Sequence, residues 1–461
     1  MPLKEFDVVV IGSGAGLNIV EGALSHGLTV ALVDKGPLGG TCLNLGCIPS
    51  KMLIYPADSV VEIRNARKLG VTAEIRDIDF GSIMERMRRT VSRGSRHVRE
   101  GITHYDGLEF YEGLGHFVGD YTLEVNGQKI KGKRIFIASG ARPFVPPIRG
   151  LEPSGFLTNE SVLQLKERPE DLIIIGGGYI AAEYAHFLEG MGVKVTIIQR
   201  NARLVPDEEP EISDLLKSEM GKRMEIHTNT EVVEVLETSP GYTVRGREKA
   251  GGKERVFSAG KIMVASGRMS NADLLKVENT GVKTDGRGYI VVNEYLETGK
   301  KNIWAFGDAI GKKMFRHVAN RESSVAWDNA EHGKKEKMDY LAAPHAVFSY
   351  PEIASVGLTE DRAKKQYRSR DLLVGKALYS QVARGEAMME EKSFAKAIVK
   401  KDSGKIIGFH IVGPYASMLI QEVVLAMAND LDIWAIAKGL HIHPALSELI
   451  VAALGNLEET E

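Results

Sequence analysis

The sequence predicts an α/β chain: two units built on parallel sheets, followed by a C-terminal α+β unit. The first observation is an imperfect internal repeat. DVVVIGSGAG (Asp7 to Gly16) and DLIIIGGGYIAAE (Asp171 to Glu183) each run a continuous apolar strand into a Gly-rich turn and then a helical pattern. Each therefore starts a βαβ unit of the Rossmann-like, dinucleotide-binding type. The second is a matching pair of strands ending in Ala-Ser-Gly, RIFIASGARP (Arg134 to Pro143) and KIMVASGRMSN (Lys261 to Asn271). The third is KNIWAFGDAIG (Lys301 to Gly311), a further buried strand, which implies that the chain returns to its first unit after finishing the second.

Beyond about Tyr340 the pattern changes to alternating strands, FAKAIVKK and IIGFHIVG, and then to SMLIQEVVLAMAND, which reads as one long helix. Pro-rich RPFVPPIRG and charged GKKEKMD mark boundaries. The expected division is 1–150 for the first dinucleotide domain, 151–271 for the second, 272–340 for the return segment, and 341–461 for an α+β interface domain.

At 461 residues the chain exceeds one ordinary core. Its 59 basic and 61 acidic residues nearly balance, and no basic stripe gathers around aromatics, so nucleic acid is not an expected partner. Apolar runs fall short of the ~20 residues that span a bilayer. The opening MPLKEF leads directly into a strand, without a signal-peptide pattern. A cytoplasmic, non-membrane protein is expected. Cys42 and Cys47 are its only 2 cysteines, too few for a multi-bridge secreted scaffold or a four-cysteine zinc site. No metal is expected, and in a reducing compartment a close pair is more often catalytic than structural.

In the first glycine cluster Gly12 permits the tight turn. Gly14 lets the backbone approach a pyrophosphate at the start of the next helix. Asp34 lies about 20 residues on, where a carboxylate holds a ribose hydroxyl pair. Leu17 stands where the fingerprint has its third glycine, with Gly16 beside it. The second cluster, Gly176, Gly178 and Ala181, fits better. Its following strand ends in Gln199 rather than an acid, with Arg200 and Arg203 placed to hold a 2′-phosphate, so NADPH is favoured over NADH.

GGTCLNLGCIPSK sets Cys42 and Cys47 five apart across a Gly-containing loop at the start of a helix. The helix dipole and a nearby cation favour the thiolate that disulfide exchange requires. Near the C-terminus, HIHPALSELI places Glu448 five residues after His443, spaced for a carboxylate to fix an imidazole that shuttles protons. His441 competes for that role.

With these motifs in place, the chain resembles, over essentially its whole length, the class I pyridine nucleotide-disulfide oxidoreductases. The resemblance implies FAD and NAD(P)H as cofactors, Cys47 as the thiol facing the flavin, and Cys42 as the thiol attacking substrate. His443 would be the acid/base and Glu448 its partner. Lys51 and Glu183 would form an ion pair near the flavin, Tyr179 would cover the nicotinamide pocket, and Asp308 would bind the ribityl chain. Around the FAD it implies further positions: Ser13, Lys35, Gly40 and Thr41 near the first fingerprint, Gly115, then Ser139 and Gly140, and finally His317. Around the nicotinamide nucleotide it implies Ile180 and Gly267 as well.

GSGAGLN, CIPSKMLIY, RHVANRES and HIHPALSE look most like mycothione reductase. CIPSK and HPALSE are also similar to dihydrolipoyl dehydrogenase, which normally carries an acid where Gln199 stands. Mercuric reductase and the large thioredoxin reductases are disfavoured for want of a third cysteine. The implied activity is reduction of a low-molecular-weight disulfide. The alternatives are oxidation of dihydrolipoamide with NAD⁺, docked on a lipoyl-domain protein, or a flavoprotein oxidase or transhydrogenase without a disulfide substrate. The apolar helices of the last domain, together with the resemblance, imply a homodimer whose active site is shared between subunits.

Overall fold

The structure is a computed structural model that describes residues 3–102 and 105–460. Its first sheet holds seven strands. Leu108–Glu112, Val30–Asp34, Lys4–Ile11 and Gln128–Ile137 lie side by side in parallel. The long last strand pairs at its start with the antiparallel Thr122–Val125 and at its end with the parallel Ile303–Ala305. Val8, Val9, Val10 and Ile11 are all buried, as both faces of a parallel strand must be, which is why the sequence reads there as an unbroken apolar run.

Ile303–Ala305 brings the later chain back onto this sheet and delivers two elements to its carboxyl edge. One is the short turn Gly307–Ile310 and the other the helix Arg316–His332. That helix lies along Gly16–Ser25, and Asn18 Nδ2 donates to Ser323 Oγ at 2.9 Å. On its other side Gly16 lets Gly16–Ser25 lie close on the strand Lys4–Ile11: a Cβ there would meet Val10 Cγ1 at 2.8 Å, while Leu17 turns toward the core. Gly16 thus supplies the clearance that the absent third glycine would otherwise provide.

The second unit repeats the plan with four parallel strands, in the order Glu225–His227, Lys194–Ile198, Asp171–Ile175, Ile262–Val264. A three-stranded antiparallel sheet flanks them. Ala141–Pro143 and Arg268–Ser270, the segments that leave and re-enter the first unit, pair antiparallel. The helix Cys47–Asn65 packs on Tyr179–Gly190 so closely that a Cβ on Gly190 would stand 2.7 Å from Ala57 Cβ.

The last unit is a six-stranded antiparallel sheet with short helices packed against it. The single helix expected over SMLIQEVVLAMAND is two, Ala416–Leu419 and Gln421–Ala428. They part at Ile420, whose side chain is held in the core. Met418, Leu425, Trp434, Leu440 and Ile442 stay exposed on this unit. Among the described residues no helix is long and apolar enough to cross a membrane.

Candidate functional site

The carboxyl edge of the first parallel sheet opens onto a cavity of about 990 Å³, and the start of the second unit's helix Tyr179–Gly190 joins its wall. Gly12 has φ +105°, and a Cβ there would lie 2.2 Å from the Ala138 carbonyl oxygen. A Cβ on Gly40 would lie 2.7 Å from Gly14 Cα. The two loops can touch only because both positions are glycine. Ser13 N and Gly36 N donate to the Asp34 carboxylate at 2.6 and 2.7 Å, and Gly39 N donates to Ser13 Oγ at 2.9 Å. Lys35, Thr41, Ser139, Gly140, Asp308 and His317 join the same wall. Gly115 does not: it packs against Val33 and Val125 at the sheet's edge.

Cys47 is the first residue of Cys47–Asn65, and Cys42 sits in the short helix Gly40–Asn44 before it. Cys47 is open to the cavity while Cys42 is partly buried. The hydrogen bond from the Cys42 thiol lowers Cys47 to about 7; burial works against it and the Lys51 ammonium assists. Cys42 is pushed well above the ordinary thiol range, first by that same hydrogen bond and then by burial. Reduced, the pair is a Cys42 thiol donating to a Cys47 thiolate at a helix N-terminus.

One turn on, Lys51 Nζ meets both Glu183 oxygens at 2.9 Å and stands 4.4 Å above the Phe348 ring. Phe348 N also donates to Glu183, at 3.0 Å. One ion pair thus ties the cysteine helix to the second fingerprint helix and to the C-terminal unit. Tyr179, at the start of that second helix, lines the cavity with Ile180 and leans on Phe315; burial raises its phenol to about 12.

The second fingerprint turns the same way. Gly176 has φ +120°, and a Cβ there would touch the Ala265 carbonyl oxygen at 2.3 Å. Gly178 precedes the helix, Ala181 is buried in it, and Gly267, at φ +123°, lies just after the Ala265 strand end. Gln199 is buried beneath Gly177. Arg200 is exposed and meets no carboxylate among the described residues, whereas Arg203 is already forked onto Asp214, with Nε 2.9 Å from Oδ1.

His443 Nδ1 lies 2.9 Å from Glu448 Oε1, and that hydrogen bond, with the one from Ala445 N, holds the Glu448 carboxyl below its ordinary range. The imidazole is 73% exposed and does not line the cavity that holds the cysteines of its own chain. His441 is engaged elsewhere, on Glu422 at 2.8 Å.

The structure adds residues that the motifs did not mark. His345 lines the cavity, stacks on Phe315 and reaches buried Glu208 at 2.5 Å. Glu322, fully buried and raised by that burial to about 7, accepts from Gly307 N and from the Tyr340 hydroxyl, both at 2.6 Å, and so fixes the turn bearing Asp308. Arg268 stands 3.5 Å from Asp308. Among the described residues, buried Asn44 Oδ1, Ser139 Oγ, Arg268 Nε and Asn320 Oδ1 have no hydrogen-bond partner, and all four residues line this cavity. Four waiting polar atoms around a glycine cradle fit a large polar ligand with a diphosphate, as FAD is.

The comparisons with known proteins agree in direction. The family model described as pyridine nucleotide-disulphide oxidoreductase matches residues 6–323, and that family's dimerisation domain matches 343–454. Dihydrolipoyl dehydrogenase of Bacillus subtilis (strain 168) is 33% identical across 97% of this chain and 96% of its own. Mycothione reductase of Mycobacterium tuberculosis (strain CDC 1551 / Oshkosh) is 32% identical across 98% and 99%. Among solved structures, the Cu(II) complex of the HOCl-induced flavoprotein disulfide reductase RclA from Escherichia coli superposes with a TM-score of 0.86 at 26% identity, covering 98% of this chain and 99% of that one.

Proposed function

Because this chain belongs to the pyridine nucleotide-disulphide oxidoreductase family, we propose that it carries electrons from NADPH through FAD and the Cys42–Cys47 pair to a low-molecular-weight disulfide in the cytoplasm. The observation that carries this reading is the placement of the two thiols: Cys47 opens the helix Cys47–Asn65 on the wall of the cavity that holds the first glycine cradle, with Cys42 in the short helix just before it. Bound FAD supplies the two-electron relay between the nicotinamide and the Cys47 sulfur.

The protein's own residues do the rest. A base removes the Cys42 proton, and the Cys42 thiolate attacks one sulfur of the substrate disulfide. A mixed disulfide forms and the first product thiolate leaves. Cys47 then attacks the Cys42 sulfur, which expels the second thiolate and closes the Cys42–Cys47 disulfide. The base is His443 of the partner subunit, oriented by Glu448, and it returns its proton to the leaving thiolate. Two features support a shared site: the His443–Glu448 dyad faces outward, and exposed Trp434, Leu440 and Ile442 lie on the same domain. Lys51 holds the cysteine helix against Glu183, and Tyr179 covers the nicotinamide side.

A second reading runs the same residues in reverse, oxidising a dithiol such as dihydrolipoamide with NAD⁺. The observation favouring it is Arg203, whose fork is occupied by Asp214, leaving Arg200 alone for a 2′-phosphate. The test is a turnover screen of the purified protein with NADPH and NADH. The substrates to compare are mycothiol-like, glutathione, coenzyme A and bis-glutamylcystine disulfides against lipoamide. Fastest turnover with NADPH and a low-molecular-weight thiol disulfide supports the first reading; NADH with lipoamide supports the second.

A further inference from the structure

Arg316 opens the helix Arg316–His332 and lines the large cavity. Three of the other cations there face carboxylates, Lys51 with Glu183, Arg142 with Asp273 and Arg268 with Asp308, while Lys35 lines the wall beside Asp34 without an ion pair among the described residues. Arg316 makes no hydrogen bond or ion pair with another side chain among the described residues. Its guanidinium is nevertheless well placed. A Cβ built on Gly14 would lie 3.8 Å from Arg316 NH1 and 3.9 Å from Gly40 Cα, so the cation hangs over the glycine turn of the first fingerprint. Two helices also aim their amino ends into this corner, Gly16–Ser25 and Arg316–His332, through lining residues Ala15 and Phe315. Four residues behind Arg316 on the same helix, Asn320 presents a buried, unpartnered Oδ1 from the cavity wall.

We infer that Arg316 is a cofactor-binding residue that clamps the diphosphate of the dinucleotide against the Gly12–Gly14 turn. The inference rests on the family reading of this cavity as the FAD site. A diphosphate carries about two negative charges, and a guanidinium meets such oxygens as a charge-assisted fork, stronger than the backbone amides of a glycine turn alone. The fingerprint here lacks its third glycine, and Arg316 adds a cation over its second, Gly14. Arg316 also stands close enough for its charge to act on the Cys42 thiol, in the direction of the thiolate. A bound diphosphate would draw that charge away, so filling the site and tuning the nucleophile share one side chain.

The test strips FAD from the purified full-length protein and measures rebinding of FAD and of riboflavin, which has no diphosphate, to wild type, Arg316→Gln and Arg316→Lys. The expected result is an FAD Kd raised at least tenfold in Arg316→Gln and partly restored in Arg316→Lys. Riboflavin binding should be unchanged, and the salt dependence of FAD binding weaker in Arg316→Gln. Thermal unfolding of the stripped proteins shows whether each variant folds, and Arg316→Lys keeps the comparison alive if Arg316→Gln does not. An unchanged FAD Kd overturns the inference, and so does an equal loss for riboflavin, which would place the cation on the flavin ring. An unchanged FAD Kd with a raised KM for the disulfide would assign it to substrate and also overturn it. A wild-type protein that binds no FAD would instead overturn the family reading of the cavity.

Discussion

Replacing Lys51 with methionine removes an ammonium while keeping most of the side chain's volume. It should strike both the stability of the domain junction and the chemistry of Cys47. Both Glu183 oxygens lie 2.9 Å from Nζ, and the Glu183 side chain is 7% exposed against 36% for Lys51. Breaking a buried ion pair from one side costs roughly 3–5 kcal/mol, because the other charge stays buried without its partner. Here water reaches the lysine end, and Phe348 N still donates to the carboxylate, so about 2–3 kcal/mol is expected.

The lysine also helps, after the Cys42 hydrogen bond, to hold Cys47 at about 7. A thiolate exists above its pKa, so losing that help moves the onset of Cys47 ionisation to higher pH. Each unit of rise removes about tenfold of the thiolate at pH values well below the pKa. The assay is a urea unfolding curve alongside thiolate absorbance against pH, on the same reduced preparation. Lys51→Met with Glu183→Gln should regain most of the lost stability, because no buried charge is then left alone. A Lys51→Met protein with an unchanged unfolding midpoint and an unchanged Cys47 titration would refute this account of the pair.

Two further outcomes follow from the geometry. Arg200→Ala should raise the KM for NADPH about tenfold or more while hardly changing that for NADH, since a charge-assisted phosphate contact is worth about 1.5–3 kcal/mol; steady-state kinetics with both nucleotides decide it, and a wild type preferring NADH would sink it. Mixing inactive Cys47→Ser and His443→Gln proteins under subunit exchange should restore activity toward about one quarter of wild type, because half the dimers are mixed and each holds one intact site. Demonstrated exchange without recovery would place the whole site in one chain.

What the sequence made legible was local. Unbroken apolar runs such as DVVVI and DLIII give buried parallel strands because both of their faces are covered, and Gly12 and Gly176 mark turns that no side chain could enter. Cys47 at a helix start was likewise readable from its own loop. The residues that escaped notice come from far along the chain. Phe315, His345 and Phe348 reach the cavity only because Ile303–Ala305 returns to the first sheet and the C-terminal unit folds back over it.

Spacing was equally silent about competing partners. Arg203 looks free beside Gln199 in the sequence, yet Asp214, one helix later, takes its fork. Gly115, which the resemblance implies beside the FAD, lies outside the cavity lining, next to Val33 and Val125.

The most direct measurement of the central claim is anaerobic reduction of the FAD-loaded protein by one equivalent of its preferred pyridine nucleotide, with long-wavelength absorbance and free thiols followed together. Wild type should gain two titratable thiols and a charge-transfer band from the Cys47 thiolate beside the oxidised flavin. Cys42→Ser should retain that band, Cys47→Ser should lose it, and neither should turn over disulfide. Reduction that frees no thiol, or a Cys47→Ser protein that still reduces disulfide at the wild-type rate, would contradict the account.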